Sequence, residues 1–384
     1  MNFAESDEIR ELRSSLSRFI ERHMPRDAAV DWDKRNYFPR DVFKKLAELG
    51  VMGLTIPEEY GGYGRNILAA MITIEELSKR SLAVSVPYIM ATCYAGMNIV
   101  ECASEAQKRE FLPKIVTGDL LFAYGWTEPD VGADLASIKT RCERKGDTLV
   151  INGEKRFCSG AAISDYIFTL VRTGDPEDRY RNISIVLIPP TTPGVTITPI
   201  DALGMKGAAT TDVIFENVEV PIANLFGGEA KWNHGWGMIT GSGLDVERIE
   251  VAAIALGIAQ AALDDALDYA QQRNQFGKPI FQFQSIKHKL AEMATQVQAA
   301  RLMVYQGAWS CDQHSACTKE TAMAKLFAAE TAKSVALECQ TIFGAYGYVK
   351  GFDVERYVRD AILMPIIGGS SAVQKNNIYK QLSR

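Results

Sequence analysis

The chain contains no C-x-x-C pair and no H-E-x-x-H run in 384 residues, and its seven cysteines (93, 102, 142, 158, 311, 317, 339) and four histidines (23, 234, 288, 314) are scattered. Such spacing offers no ready zinc site and no paired redox thiols, and an odd number of cysteines cannot close a complete disulfide framework. Free thiols and no bound metal are expected. Positive charge is not in excess either: 42 Lys and Arg stand against 47 Asp and Glu, a net charge of −5. No global field therefore draws nucleic acid or an anionic membrane. The opening Met1-Asn2-Phe3-Ala4-Glu5-Ser6-Asp7-Glu8 lacks the basic and then apolar pattern of a leader. No apolar run reads as long enough to cross a bilayer. A cytoplasmic protein with no nucleic-acid or membrane partner is the expectation. Internal repeats and low-complexity tracts are missing as well, which argues against a solenoid.

What is present is the balance of an ordinary folded protein, 47% hydrophobic and 23% charged, with enough length for two or three modules. From Ser6 to about residue 118 apolar positions recur at helical spacing, as in Ile9, Leu12, Leu16, Phe19 and Ile20. Between about 120 and 228 the texture changes to short β-rich runs: 148–151, 166–171, 183–188, 195–200 and 213–220. Asn-Gly, Pro-Pro and Asp-Pro signals separate them, which predicts a mostly antiparallel sheet. Helical periodicity returns after Trp236, with long helices over 251–273 and from about Ile286 onward, separated at Pro279. The predicted class is α+β, with a helical domain over 1–118, a β-domain over 119–228 and a second helical domain over 229–384.

Four segments carry chemistry. The first is Tyr124-Gly125-Trp126-Thr127-Glu128-Pro129-Asp130-Val131-Gly132-Ala133-Asp134, and the second is Asn152-Gly153-Glu154-Lys155-Arg156-Phe157-Cys158-Ser159. On a strand, Phe157 and Ser159 share one face, so an aromatic ring and a hydroxyl could meet one planar ligand. The third segment is Arg273-Asn274-Gln275-Phe276-Gly277, at the end of a long helix, where an arginine also suits the helix dipole. The fourth is Thr341-Ile342-Phe343-Gly344-Ala345-Tyr346-Gly347. Singly, each is compatible with a turn, a core aromatic or a helix end.

Together, in this order and along the whole chain, they resemble the acyl-CoA dehydrogenase family, with its T-E-P-x-x-G-S-D, N-G-x-K, R-x-x-F-G and Q-x-F-G-G-x-G signatures. The resemblance implies a third domain built as a four-helix bundle, FAD as cofactor and an acyl-CoA as substrate. It also implies an electron-transfer flavoprotein as acceptor and a homotetramer. Tyr124, Trp126, Thr127, Phe157, Ser159 and Ser370 would line the flavin, while Arg273, Phe276, Thr341 and Gly344 would reach a neighbouring subunit's FAD. Ala133 stands where the family has Ser, so only its backbone would hold the pantetheine arm. Thr341 stands where Gln is usual and Ala345 where the second Gly is usual.

Oxidation of a Cα–Cβ bond needs a carboxylate to take the α-proton. Many family members keep it in Y-E-G-T near the C-terminus, but this chain has Ile367-Gly368-Gly369-Ser370 there. A minority, the isovaleryl-CoA and long-chain types, place it in L-D-x-E-R, and here Leu244-Asp245-Val246-Glu247-Arg248 occupies that place. The resemblance makes Glu247 the base, Asp245 and Arg248 the contacts to CoA, and the Gly368 N–H the donor to the thioester oxygen. A lone Glu in a helix first turn is otherwise ordinary dipole complementation. The missing side chain at Gly368 would leave room for a branched acyl group. Enoyl-CoA reductases of the crotonobetainyl-CoA type, acyl-CoA and nitroalkane oxidases and flavin monooxygenases share the architecture and stay open as alternatives. A non-catalytic binding protein is the reading from another class, and the glutamate at 247 weighs against it.

Overall fold

The computed structural model describes residues 5–240, 243–313 and 316–383; the first four residues of the opening segment and His314 lie outside them. The chain begins in helices because apolar residues recur on one face and polar residues cap the ends. Ser6 accepts from the Ile9 N–H at 3.3 Å and starts α1 (Asp7–His23), which buries Leu16, Phe19 and Ile20. Helices α2 (Arg26–Arg35), α3 (Arg40–Glu48) and α4 (Ile67–Arg80) follow. Then come α5 (Leu82–Ile89), α6 (Asn98–Cys102) and α7 (Glu105–Val116), the last opened by a Ser104/Gln107 capping box. The Gln107 side chain also donates to the carbonyls of Ala223 (3.1 Å) and Leu225 (2.9 Å), fastening the helices to the β-region.

One expectation is overturned here. The run Leu82–Cys102 is long and apolar enough to cross a bilayer, with a mean hydropathy of 1.3. Its apolar window is 89% buried inside the protein, so it acts as a core element, and its composition reflects contact on all sides. Between α5 and α6, Met90–Met97 winds as a π-helix, a rare form that often marks a functional site.

The β-region is one twisted sheet of β1 (Phe122–Gly125), β2 (Arg141–Lys145), β3 (Thr148–Ser159), β4 (Tyr166–Arg172), β5 (Ile183–Ile188), β6 (Val195–Pro199) and β7 (Thr210–Pro221). The order is β1-β4-β2-β3-β7-β6, with β5 also paired to β4. Pairings β2–β3, β3–β7, β4–β5 and β6–β7 are antiparallel as the turn signals predict, whereas β1 runs parallel to β4. The two strands are not joined by a hairpin, and a connection of some 40 residues lets β1 take the parallel sense. The β3–β7 register shifts between Lys155 and Cys158, a bulge that holds Phe157 at φ +57.

Helices return with α8 (Gly235–Ile239), α9 (Gly243–Gln272), α10 (Gln284–Asp312), α11 (Thr318–Phe343), α12 (Val354–Ala361) and α13 (Ser371–Leu382). A two-residue β-ladder, Asn274–Gln275 with Lys278–Pro279, reverses the chain between α9 and α10. Helix α9 lies at the centre, packed on α4, α10 and α11. Its buried face is rich in alanine, and a Cβ at Gly257 would come within 2.5 Å of the Glu75 carbonyl oxygen, so glycine is what lets α4 cross this closely.

At that crossing the fully buried Glu75 of α4 takes Arg301 at 2.9 Å, Arg13 at 3.4 Å and the Tyr305 hydroxyl, joining α1, α4 and α10. Burial pushes the Glu75 carboxyl up, but the Arg301 and Arg13 guanidiniums and the Tyr305 hydroxyl outweigh it and hold it below the ordinary carboxylate range. Its contribution to stability is therefore present above the unfolded value of about 4.3 and is lost as pH falls through the lowered folded value. Glu75→Ala takes the shared carboxylate from two part-buried guanidiniums, of which Arg13 keeps Glu5 and Glu76, and should cost about 1–3 kcal/mol at pH 7 in urea unfolding. The gap to wild type should narrow in acid; a constant gap down to acid pH would remove the charge from the explanation.

Candidate active site

The first turns of α9 bring Leu244, Glu247 and Glu250 against the π-turn and β1, where Cys93, Tyr94, Asn98, Tyr124, Trp126 and Ile239 complete one small cavity. Its volume is about 10 Å³, room for little more than a water molecule. The rings of Tyr94 and Tyr124 stack at 4.7 Å and those of Tyr124 and Trp126 at 4.5 Å, closing it. Asn98 fixes this stack by donating to the Tyr94 carbonyl (2.8 Å) and the Tyr124 hydroxyl (2.6 Å). Residues from the first motif and from the alternative base position thus meet in space although over 100 residues separate them. Burial raises the Glu247 carboxyl to about 7, with Arg248 and Lys325 pulling the other way. Desolvation wins at this helix start, a balance the sequence leaves open.

The first two motifs are locked together by a pair that sequence reading passes over. Glu128 accepts from the backbone N–H groups of Lys139 (2.7 Å) and Thr140 (2.9 Å) and from the Lys155 ammonium at 2.9 Å. Lys155 also donates to the Trp126 carbonyl at 3.3 Å, and Arg156 N–H to the Thr127 carbonyl at 2.8 Å. Burial opposes charging Glu128, but the ammonium and the two N–H groups keep its carboxyl below the ordinary range. The signal in the sequence was a Glu and a Lys inside two otherwise structural motifs; their partnership needed the fold. Held this way, Trp126 keeps its buried Nε1 without a hydrogen-bond partner among the described residues, Phe157 on the bulge is 57% exposed, and Ser159 is partly buried two residues further along β3. An orphan donor on one motif and an open aromatic face on the other, joined through the Arg156–Thr127 hydrogen bond, fit a planar group with acceptor atoms at its edge, as the flavin has.

Gly368 and Gly369 both have positive φ, +59 and +76. The buried Gln374 side chain donates to both their carbonyls, at 2.9 and 3.0 Å, and fixes the loop. Ser370 begins α13, its hydroxyl accepting from the Val373 N–H at 3.4 Å. The fully buried Lys325 donates to the Met364 carbonyl (2.9 Å) and contributes to the field at Glu247. The space expected at Gly368 is not there: a Cβ would sit 2.7 Å from Cγ2 of Val251, one turn beyond Glu247 on α9. Room for branching is thus not created by this glycine.

Asp245 pairs with Arg248 and accepts from the Thr318 and Thr321 hydroxyls, both at 3.1 Å, so much of its capacity is used inside the chain. Ala133 is exposed. The third and fourth motifs form a separate group: Arg273 lies over the Tyr346 ring at 5.7 Å, Phe276 is 90% exposed, and Gly344 has φ +61 with open space around it. Thr341 is exposed and returns its hydroxyl to the Leu337 carbonyl at 3.0 Å, while Gln340 ties the loop through the Gly347 carbonyl at 3.2 Å. Arg273 and Glu247 sit at opposite ends of α9, roughly 39 Å apart along its axis. One chain does not bring these two groups together.

The acyl-CoA dehydrogenase N-terminal, middle and C-terminal family models match residues 6–119, 123–218 and 233–383. The chain is 39% identical to "Probable acyl-CoA dehydrogenase YngJ" of Bacillus subtilis (strain 168), covering 100% of both chains. It is 37% identical, with full coverage of both, to "3-(aryl)acrylate reductase" of Clostridium sporogenes. With mitochondrial isovaleryl-CoA dehydrogenase of Pongo abelii it shares 35% identity over 96% of this chain and 87% of that one. Among solved structures it superposes on butyryl-CoA dehydrogenase from Megasphaera elsdenii with a TM-score of 0.94, 33% identity and 100% coverage of both.

The Glu128–Lys155 pair supplies a direct check. Lys155→Met leaves a buried carboxylate without its cation and should cost about 3–5 kcal/mol in urea unfolding. Adding Glu128→Gln, which removes that charge, should restore more than half of the loss; an additive second loss would contradict the coupling.

Proposed function

Because the chain belongs to the acyl-CoA dehydrogenase family, whose cofactor is FAD, we propose that it oxidises the Cα–Cβ bond of an acyl-CoA thioester to the trans-2-enoyl-CoA. The observation that carries the reading is the carboxyl of Glu247, raised to about 7 and facing the cavity beside Tyr124 and Trp126. FAD, when bound, supplies the two-electron acceptor for the hydride that leaves the β-carbon. Everything else falls to side chains and backbone of this chain.

Glu247 takes the α-proton, and a carboxyl poised near neutrality can both remove it and release it afterwards. The Gly368 N–H, on a loop clamped by Gln374, is the donor to the thioester oxygen and stabilises the charge that develops there. Asp245 and Arg248 face the CoA side, with the Ala133 backbone on the pantetheine arm. Trp126, Thr127, Phe157, Ser159, Tyr124 and Ser370 hold the flavin. An acyl chain enters by displacing the Tyr94–Tyr124 stack, since the cavity is otherwise too small. Electrons then pass to an electron-transfer flavoprotein in the cytoplasm. The reverse reaction, reduction of an enoyl-CoA, is the second reading, favoured by the likeness to the arylacrylate reductase.

The roughly 39 Å between Glu247 and Arg273 supports sites shared between subunits. Exposed apolar side chains on the C-terminal helices, Leu302, Trp309, Phe327, Leu337, Tyr379 and Leu382, support assembly into a homotetramer. Arg273, Phe276, Thr341 and Gly344 then reach the FAD of a neighbour.

Two measurements decide these points. Glu247→Gln should retain FAD yet slow substrate-dependent flavin bleaching by at least about a hundredfold. In the wild type the bleaching rate should rise with pH through about 7, because the base works only when ionised. Near-normal reduction by the variant would end the assignment. Sedimentation should report four chains, and Arg273→Ala should lose FAD without losing its fold; a monomer that holds FAD normally would overturn the sharing.

A further inference from the structure

Proton removal and flavin binding leave one carboxyl in the cavity without a task. Glu250 lies three residues after Glu247 on α9, within the apolar run Ile249–Ala259 that is otherwise Val, Ala, Ile, Leu and Gly. Its side chain is 1% exposed and reaches the same cavity as Glu247. Among the described residues its Oε2 has no hydrogen-bond partner, although the Cys93 thiol lies within reach of the carboxyl. Its neighbours along the helix are apolar, and of the polar groups lining the cavity Asn98 is already committed to the Tyr94 carbonyl and the Tyr124 hydroxyl, so a valine or leucine would pack here without leaving a buried oxygen unsatisfied. Retaining a carboxyl in such a place is a cost to folding, and it is offset when a ligand supplies the missing partner.

Residues three apart on a helix project side by side, with Cβ atoms roughly 5–6 Å apart. If Glu247 meets the α-carbon, Glu250 meets the acyl chain a few bonds further on, at the buried end of the cavity. We propose that Glu250 is a specificity residue that hydrogen-bonds a polar substituent, a hydroxyl or an amine, carried on the acyl chain beyond the β-carbon. The inference rests on the acyl-CoA reading above and narrows its substrate class to functionalised acyl groups. Burial and the neighbouring Glu247 push the Glu250 carboxyl well above its ordinary range, so in the empty cavity it is a neutral acid that can both donate and accept. A hydroxyl satisfies it in that form. An ammonium group would draw it into ionisation, and the two are separable by experiment. A plain alkyl chain would leave it unpaired, and sites built around a hydrogen bond reject the analogue that lacks it strongly. The π-turn serves the same end, since Cys93, Tyr94 and, just after it, Asn98 are directed at one cavity.

The test uses the FAD-loaded enzyme and calorimetric binding of enoyl-CoA esters, which do not reduce the flavin. The panel is trans-2-hexenoyl-CoA and its 4-, 5- and 6-hydroxy and 4-, 5- and 6-amino derivatives. At least one polar ester should bind tenfold or more tightly than the alkyl ester. Glu250→Val should reduce that advantage to under twofold and raise the thermal midpoint, because a buried unpaired oxygen is gone. Glu250→Gln should keep the advantage of a hydroxyl and lose that of an ammonium. Equal binding across the wild-type panel, or a polar advantage that survives in Glu250→Val, overturns the proposal while leaving the acyl-CoA reading standing. If no CoA ester binds, that reading fails and this one with it.

Discussion

The buried ion pair between Glu128 and Lys155 is the interaction around which the rest of the site is arranged. Neither charge is stable alone in that position; each exists because the other is 2.9 Å away and two backbone N–H groups complete the carboxylate's shell. The pair joins the end of β1 to the middle of β3. It thereby fixes where Trp126 and Thr127 sit relative to the bulge that presents Phe157. Two separate segments of the chain behave as one wall because a single pair of charged groups would be very costly to separate.

Against that wall stands α9, and its contribution is a matter of length and smoothness. Alanines and Gly257 let α4 and α11 approach closely, so the helix is held rigidly along its whole course. A rigid helix turns a local choice, the placement of a carboxylate in its first turns, into a defined position opposite β1. The same rigidity separates its two ends, so Glu247 and Arg273 lie at different places. Desolvation at the near end raises Glu247 toward neutrality, and the burial responsible comes from the packing of the π-turn and β1, not from α9 itself. In the same stretch of helix, Glu250 carries the cost of burial further, with one oxygen unpaired among the described residues.

The architecture was legible because it follows from periodicity. Alternating and continuous apolar runs at 166–171 and 183–188 became β4 and β5, and the long alanine-rich run became α9. Where pattern failed, the cause was a competing tertiary effect. The run Leu82–Cys102 is apolar enough for a membrane because the protein surrounds it on every side. Phe157 does not follow simple strand alternation, because the β3–β7 register shifts at that point. Gly368 looked like a gap and is a filled position, since Val251 from another element occupies the space.

Sequence alone therefore determined the family, the order of helices and strands, and the glutamate at 247 that is proposed as the base, since each is encoded in residues near one another along the chain. The tertiary structure decided which charges became partners, how far Glu247 is shifted, and that Glu250 shares its cavity. Those outcomes depend on the distance and dielectric between residues far apart in sequence, and only folding sets either quantity.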